Sequence, residues 1–283
     1  MLNAVFLTIT IFCITFQGVA KKAFSERVVG GTYFFTTLST VFAMLFFVVS
    51  AFGNMHFDGA MVPYSIGFGV SYIVCLVSSI LAIATGSLSL TTLIMSYSLL
   101  VPTLYGLIFL DEPVSKLLIS GLILLCISLL LTNKTDGNMK ISFKWVIYVL
   151  LATFGNGFCS VFQKMQQVKF NGAYKNEFMI VSLFVVVIVS ALMMFAKEKK
   201  ELSVFMKNGW LLCVACGVMN AIVNLLVMVL SNTMAASVLF PALSAGELVL
   251  VYFISKYVYK ERLSRAQIIG FILGVLSIVL LSI

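Results

Sequence analysis

Ten apolar runs separated by short polar breaks leave this chain few folds to choose from. They cover roughly 2–20, 30–52, 61–84, 88–110, 115–132, 143–163, 177–196, 209–230, 234–255 and 266–283. Each is long enough, or nearly so, to cross ~30 Å of hydrocarbon as a helix. Inside lipid every backbone N–H and C=O must be paired within the protein, so only helices and closed barrels are stable there. Runs this long and this uniform are helices rather than barrel strands. Composition agrees: 61% of residues are hydrophobic and 10% charged, whereas a soluble domain carries about 25% charged residues. The connecting loops are too short to hold a soluble domain. The first run lacks a basic leader and is followed by Lys21-Lys22, so it reads as a span that stays.

The chain is also built twice. Cys13-Ile14-Thr15-Phe16-Gln17 recurs as Cys159-Ser160-Val161-Phe162-Gln163, and Phe24 as Phe170. Towards the ends of the halves, Ile119, Gly121, Ile123, Leu124 and Ser128 recur as Ile268, Gly270, Ile272, Leu273 and Ser277. Five spans per half is an odd number, so the second half must enter the membrane in the opposite direction. The expected fold is an all-α integral membrane protein: ten transmembrane helices in two inverted five-helix repeats, residues 1–135 and 136–283. Such repeats are related by a pseudo-two-fold axis in the membrane plane, a hallmark of transporters.

The net charge of +8 does not imply nucleic acid. Fourteen of the eighteen lysines and arginines fall in alternate loops, the pattern that sets membrane orientation. Positive-inside places those loops in the cytoplasm and both termini outside. The cysteines lie within spans, and Cys213-x-x-Cys216, with no charged neighbour in the sequence, reads as apolar packing rather than a redox pair. The single histidine, His56, makes with Asp58 a poor metal site and a poor catalytic pair. No metal, cofactor or enzymatic chemistry is expected.

Polar groups inside spans must face one another or water. Gln17, Tyr72, Tyr97, Ser98, Asn156, Gln163, Asn220, Asn224 and Glu247 are such groups, and together they imply a polar cavity. Glu247 is the sharpest signal. It stands about thirteen residues into the ninth run, so roughly 20 Å from one end and roughly 12 Å from the other. An acid so deep is expensive and must be protonated, paired or wet. No Lys or Arg is expected at comparable depth. Its repeat counterpart is Ser98, so the acid is not duplicated, which favours a specific role in substrate binding and proton coupling. Asn220 and Asn224, one turn apart, share a helix face suited to a polar substrate. Gln17 and Gln163 are candidate gates near opposite membrane faces, with Lys164 snorkelling outward beside the second. Pro102 and Pro241 interrupt the fourth and ninth runs and are hinge candidates. Glu112 and Glu261 read as interfacial anchors or caps. Gly270-x-x-x-Gly274 offers a small-residue face on which two copies could form a homodimer.

These pieces together resemble the drug/metabolite transporter (DMT) superfamily, specifically its EamA-type ten-helix transporters. The resemblance spans the whole chain and rests on Leu110-Asp111-Glu112-Pro113, Lys260-Glu261-Arg262-Leu263-Ser264, Ile269-Gly270-Phe271-Ile272-Leu273-Gly274, Phe240-Pro241-Ala242-Leu243-Ser244 and Ser98-Leu99-Leu100-Val101-Pro102. It implies secondary transport by alternating access, and a cavity lined by the first four helices of each half with the fifth and tenth peripheral. It also implies a small-molecule substrate among amino acids, amines, drugs and similar solutes, with export the commoner direction. One departure is that the loop Gly53 to Ala60 lacks the basic residues many members carry there.

The expected function is secondary active transport of small polar organic metabolites across a plasma membrane, weakly bacterial in character, coupled to protons through Glu247. Substrate-binding residues would be Glu247, Asn220, Asn224, Tyr72, Tyr97, Ser98, Asn156 and Gln17. Gates or hinges would be Gln17, Gln163, Pro102 and Pro241. Uptake of a cationic nutrient such as choline is the alternative, with Tyr72 and Tyr97 offering cation–π contact. A receptor or assembly subunit is the rival of a different class; it would need a partner-binding loop or tail, and none is present in this sequence.

Overall fold

The computed structural model describes residues 2–110, 115–132, 142–260 and 264–281. These form eleven α-helices: α1 Leu2–Arg27, α2 Thr32–Ser50, α3 Val62–Thr85, α4 Leu88–Ser96, α5 Leu100–Phe109, α6 Lys116–Thr132, α7 Phe143–Lys169, α8 Lys175–Lys197, α9 Leu202–Thr233, α10 Ala236–Tyr257 and α11 Arg265–Leu281. Among the described residues there is no strand. Among the described residues eight stretches are long and apolar enough to cross a membrane: α1, α2, α3 with the turn before it, α4 with α5, α7, α8, α9 and most of α10. The chain is a multi-pass helical membrane protein. Helices α6 and α11 have 17 residues each, about 25 Å at the usual rise, a little short of the full hydrocarbon thickness. Glu112 and Glu261 lie outside the described residues.

Helix ends do not coincide with the ends of the apolar runs. The first helix runs past Ala20 to Arg27, the seventh past Gln163 to Lys169, and α9 begins at Leu202 rather than 209. Lysine and glutamine are good helix formers. A polar residue therefore ends the apolar pattern without ending the helix, and these extensions carry functional groups into the fold.

Local signals place the starts. Ser87 caps α4, its Oγ accepting from the Leu90 N–H at 3.2 Å. Pro63 sits in the first turn of α3, where its missing N–H costs nothing. The fourth apolar run is not one helix. A 3-10 turn at Tyr97–Leu99 separates α4 from α5 just before Pro102, which cannot donate to the turn preceding it. Helix α10, by contrast, runs unbroken through Pro241.

Packing pairs elements of the first half with elements of the second. Helix α3 lies on α7 and α8, and α9 lies on α1 and α2; α2 runs along α8 and α6 along α11. Glycines permit two of these approaches. A Cβ on Gly217 would stand 2.3 Å from the Ser39 carbonyl oxygen, and one on Gly69 would stand 2.8 Å from that of Ser182. The first contact joins α9 to α2 and the second joins α3 to α8. Each swaps the halves of the other.

The Gly270-x-x-x-Gly274 face is used inside the chain. Ser128 Oγ on α6 donates to the Gly270 carbonyl at 2.6 Å, and a Cβ on Gly274 would meet the same Oγ at 2.9 Å. That surface is covered by α6, which corrects its reading as a self-association face. Outward-facing Phe12, Phe16, Ile108, Phe109 and Leu192 are exposed, as a lipid-facing surface requires.

Candidate functional site

Between the halves lies a cavity of about 170 Å³. Four helices line it with one face each, at spacings that follow the helical repeat. Helix α1 contributes Ile14, Gln17, Gly18 and Lys21; α7 contributes Asn156, Cys159, Ser160 and Gln163. Helix α9 contributes Asn220, Val223, Asn224 and Val227; α10 contributes Phe240, Leu243, Ser244 and Glu247. Helix α3 adds Tyr72, and the broken α4 segment adds Ser96 and Ser98.

A chain of side-chain amides crosses this cavity. Gln163 Nε2 donates to Asn224 Oδ1 at 2.9 Å. Asn224 Nδ2 donates to Asn220 Oδ1 at 2.9 Å. Asn220 Nδ2 donates to Gln17 Oε1 at 3.0 Å and to the Tyr72 hydroxyl. The repeat counterparts Gln17 and Gln163, 7% and 4% exposed, are thus joined through two asparagines one turn apart. Both line one cavity. Nearby, Asn156 Nδ2 donates to Ser98 Oγ at 2.8 Å, tying α7 to the 3-10 turn. Ser98, the counterpart of Glu247, is thereby held in the same chamber.

Glu247 faces the cavity half-buried. The expectation that no cation shares its depth is overturned. Lys21, carried inward by the extension of α1, lines the same cavity, its field reaches Glu247, and its Nζ donates to Ser79 Oγ at 3.1 Å. The sequence carried a signal for it, since Lys21 stands one turn after Gln17 and so on the same face.

Tyr97 is placed elsewhere. Its hydroxyl lies 3.1 Å from Ser128 Oγ, within the apolar cluster formed with Leu230, Leu239 and Phe271. The rotation introduced by the 3-10 turn sends Tyr97 towards α6 while Ser98 meets the cavity, so Tyr97 does not belong to the lining. Lys164 does not snorkel outward either. It is 7% exposed, and its Nζ donates to the carbonyls of Ser231 at 3.1 Å and Met234 at 3.2 Å. A cation at a helix C-terminus satisfies carbonyls that have no partner inside the helix. Cys213 and Cys216 are buried beside Phe24, Phe34 and Phe205 as packing.

Outside the membrane spans, Glu198 stabilises the start of α2. Its two carboxylate oxygens accept from the N–H groups of Tyr33 at 3.0 Å and Phe34 at 2.7 Å. Burial pushes its carboxyl above the usual range; the two N–H bonds pull the other way with less effect.

Comparison with known proteins supplies the remaining facts. The sequence matches no curated protein. A protein of known crystal structure shares the fold at TM-score 0.71 and 13% identity, over 98% of this chain and 95% of the other. Residues 143–283, from α7 to the end, match the EamA-like transporter family. Through that half the chain belongs to the EamA-like transporter family, within the DMT superfamily of membrane transporters.

Proposed function

We propose that this protein is a secondary active transporter that moves small polar organic solutes by alternating access. In this reading α4 and α5 make one span and α6 and α11 complete the set. That gives ten spans in two inverted five-helix repeats, residues 1–135 and 136–283. The reciprocal packing of α3 on α7 and α8, and of α9 on α1 and α2, supports it, because a pseudo-two-fold axis relates those contacts to one another.

The observation that carries the proposal is the amide chain. Gln17, Asn220, Asn224 and Gln163 come from both halves and meet in one chamber with Glu247. Rearrangement of one half against the other must break and remake this chain, so Gln17 and Gln163 serve as gates and Pro102 as a hinge beside the 3-10 turn. Glu247 binds a proton or a donor group of the solute. A cargo carrying only positive charge, such as choline, is less favoured, since Lys21 stands in the same chamber.

The test is flux in proteoliposomes under an imposed pH gradient, with a mixture of radiolabelled free amino acids and amines as cargo. Wild-type protein should accumulate label, and Glu247→Gln should lose the dependence on the gradient while staying folded. Unchanged flux and gradient dependence in Glu247→Gln would remove the acid from the mechanism. No flux of any label by folded wild-type protein would oppose the transport of such solutes.

A further inference from the structure

We infer that the cavity selects a small dipolar cargo, one carrying a carboxylate or equivalent anion together with an N–H cation, and that Lys21 is the residue that receives the anion. Three observations converge. Lys21 and Glu247 line one chamber of about 170 Å³. Among the described residues the Lys21 ammonium makes a single hydrogen bond, to Ser79 Oγ, which leaves two of its three N–H groups unspent. Among the same described residues the Glu247 carboxyl group makes none, and no ion pair joins it to Lys21, although the charge of Lys21 acts on it.

An ammonium and a carboxyl group that line one half-buried chamber without pairing each have hydrogen-bonding capacity to offer a solute. A purely cationic solute would satisfy Glu247 and be repelled by Lys21. A purely anionic one would meet the reverse. A neutral polar solute would leave both groups without a charged partner. A net-neutral solute with both charges satisfies the two ends at once. The Gln17 amide, one turn before Lys21 on α1, lines the same chamber as a further donor. Phe68, Leu99, Phe240 and Leu243 supply an apolar wall for the remainder of the molecule.

This rests on the transport reading of the same cavity, but its test needs no flux. The full-length protein in nanodiscs is titrated with a panel of free amino acids, their amides (cation only) and their N-acetyl derivatives (anion only), and thermal stabilisation gives apparent affinities. At least one free amino acid should bind wild type about tenfold or more tightly than its own amide and N-acetyl forms. Lys21→Gln should remove the advantage over the amide, Glu247→Gln the advantage over the N-acetyl form, and Lys21→Arg should keep both. The conservative variant separates charge recognition from loss of folding. Unaltered ratios in folded Lys21→Gln, or no binding of any free amino acid by wild type, would overturn the inference. If flux persists in that case, the transport reading stands without it. If dipolar selectivity holds with no flux under any gradient, the transport reading falls instead.

Discussion

At the scale of single residues, the decisive feature is how few groups hold the chamber together. Asn224 is buried and accepts from Gln163 while donating to Asn220. Asn224→Leu would leave the Gln163 donor and the Asn220 acceptor unpaired inside protein, each at about 1–3 kcal/mol. Flux should fall about tenfold or more, and the unfolding temperature should drop; normal flux would mean that the amide chain is packing alone. Most of this site could be read from the sequence. Polar residues inside apolar runs have nowhere else to go, so Gln17, Tyr72, Ser98, Asn156, Asn220, Asn224 and Glu247 all point into one space. Lys21 was less legible because a lysine at the end of an apolar run reads as a loop charge. Tyr97 misled for another reason. Its direction depends on a 3-10 turn, and periodicity assumes a regular helix.

At the scale of elements, the ends of helices matter more than their middles. Helix α2 starts after Gly31 in a left-handed conformation, with no cap from its own first residues. Glu198 from the far half supplies the acceptors instead. Glu198→Ala should lower stability at neutral pH by about 1 kcal/mol, the usual value of a lost helix cap. The acid also sets a pH dependence. Its folded carboxyl lies above its unfolded value because of burial, so the folded state holds the proton more tightly. The stability gained from that proton is fully present below the unfolded pKa and is lost as pH rises through the folded one. Unfolding temperatures measured between neutrality and about pH 4 should therefore show wild type gaining on Glu198→Gln as the pH falls. Parallel curves would contradict this. Such capping across the two halves left no trace in the sequence, since the partners stand 164 and 165 residues apart. Lys164 was equally hidden, its acceptors being the backbone carbonyls of Ser231 and Met234 on another helix.

At the scale of the whole molecule, the two halves interlock rather than sit side by side. Gly217 on α9 meets Ser39 on α2, and Gly69 on α3 meets Ser182 on α8. A methyl group at Gly217 has backbone, not a movable side chain, in its way, so Gly217→Ala should cost about 1–3 kcal/mol by overpacking. Gly69→Ala, with slightly more room, should cost less; both are read from thermal unfolding in detergent. This interlocking lies in isolated glycines and serines that no local pattern in the sequence singles out. The chamber itself is not symmetric. Its lining continues on α1 beyond Gln17 to Lys21, whereas on α7 it stops at Gln163. Gln167, the counterpart of Lys21, is fully buried, and Lys164 binds the nearby end of α9. The two ends of the chamber are therefore lined differently.

Side-specific labelling with a membrane-impermeant thiol reagent tests alternating access most directly. It compares Ile83→Cys, at a position that lines the chamber with Lys21, with Ser231→Cys, at a position whose carbonyl accepts from Lys164, in a background whose native cysteines are replaced. Ile83→Cys should react from one face and Ser231→Cys from the opposite face, each rising as the other falls when a pH gradient or cargo shifts the protein between states. Simultaneous full reaction at both positions, or protection of both under every condition, would contradict the account.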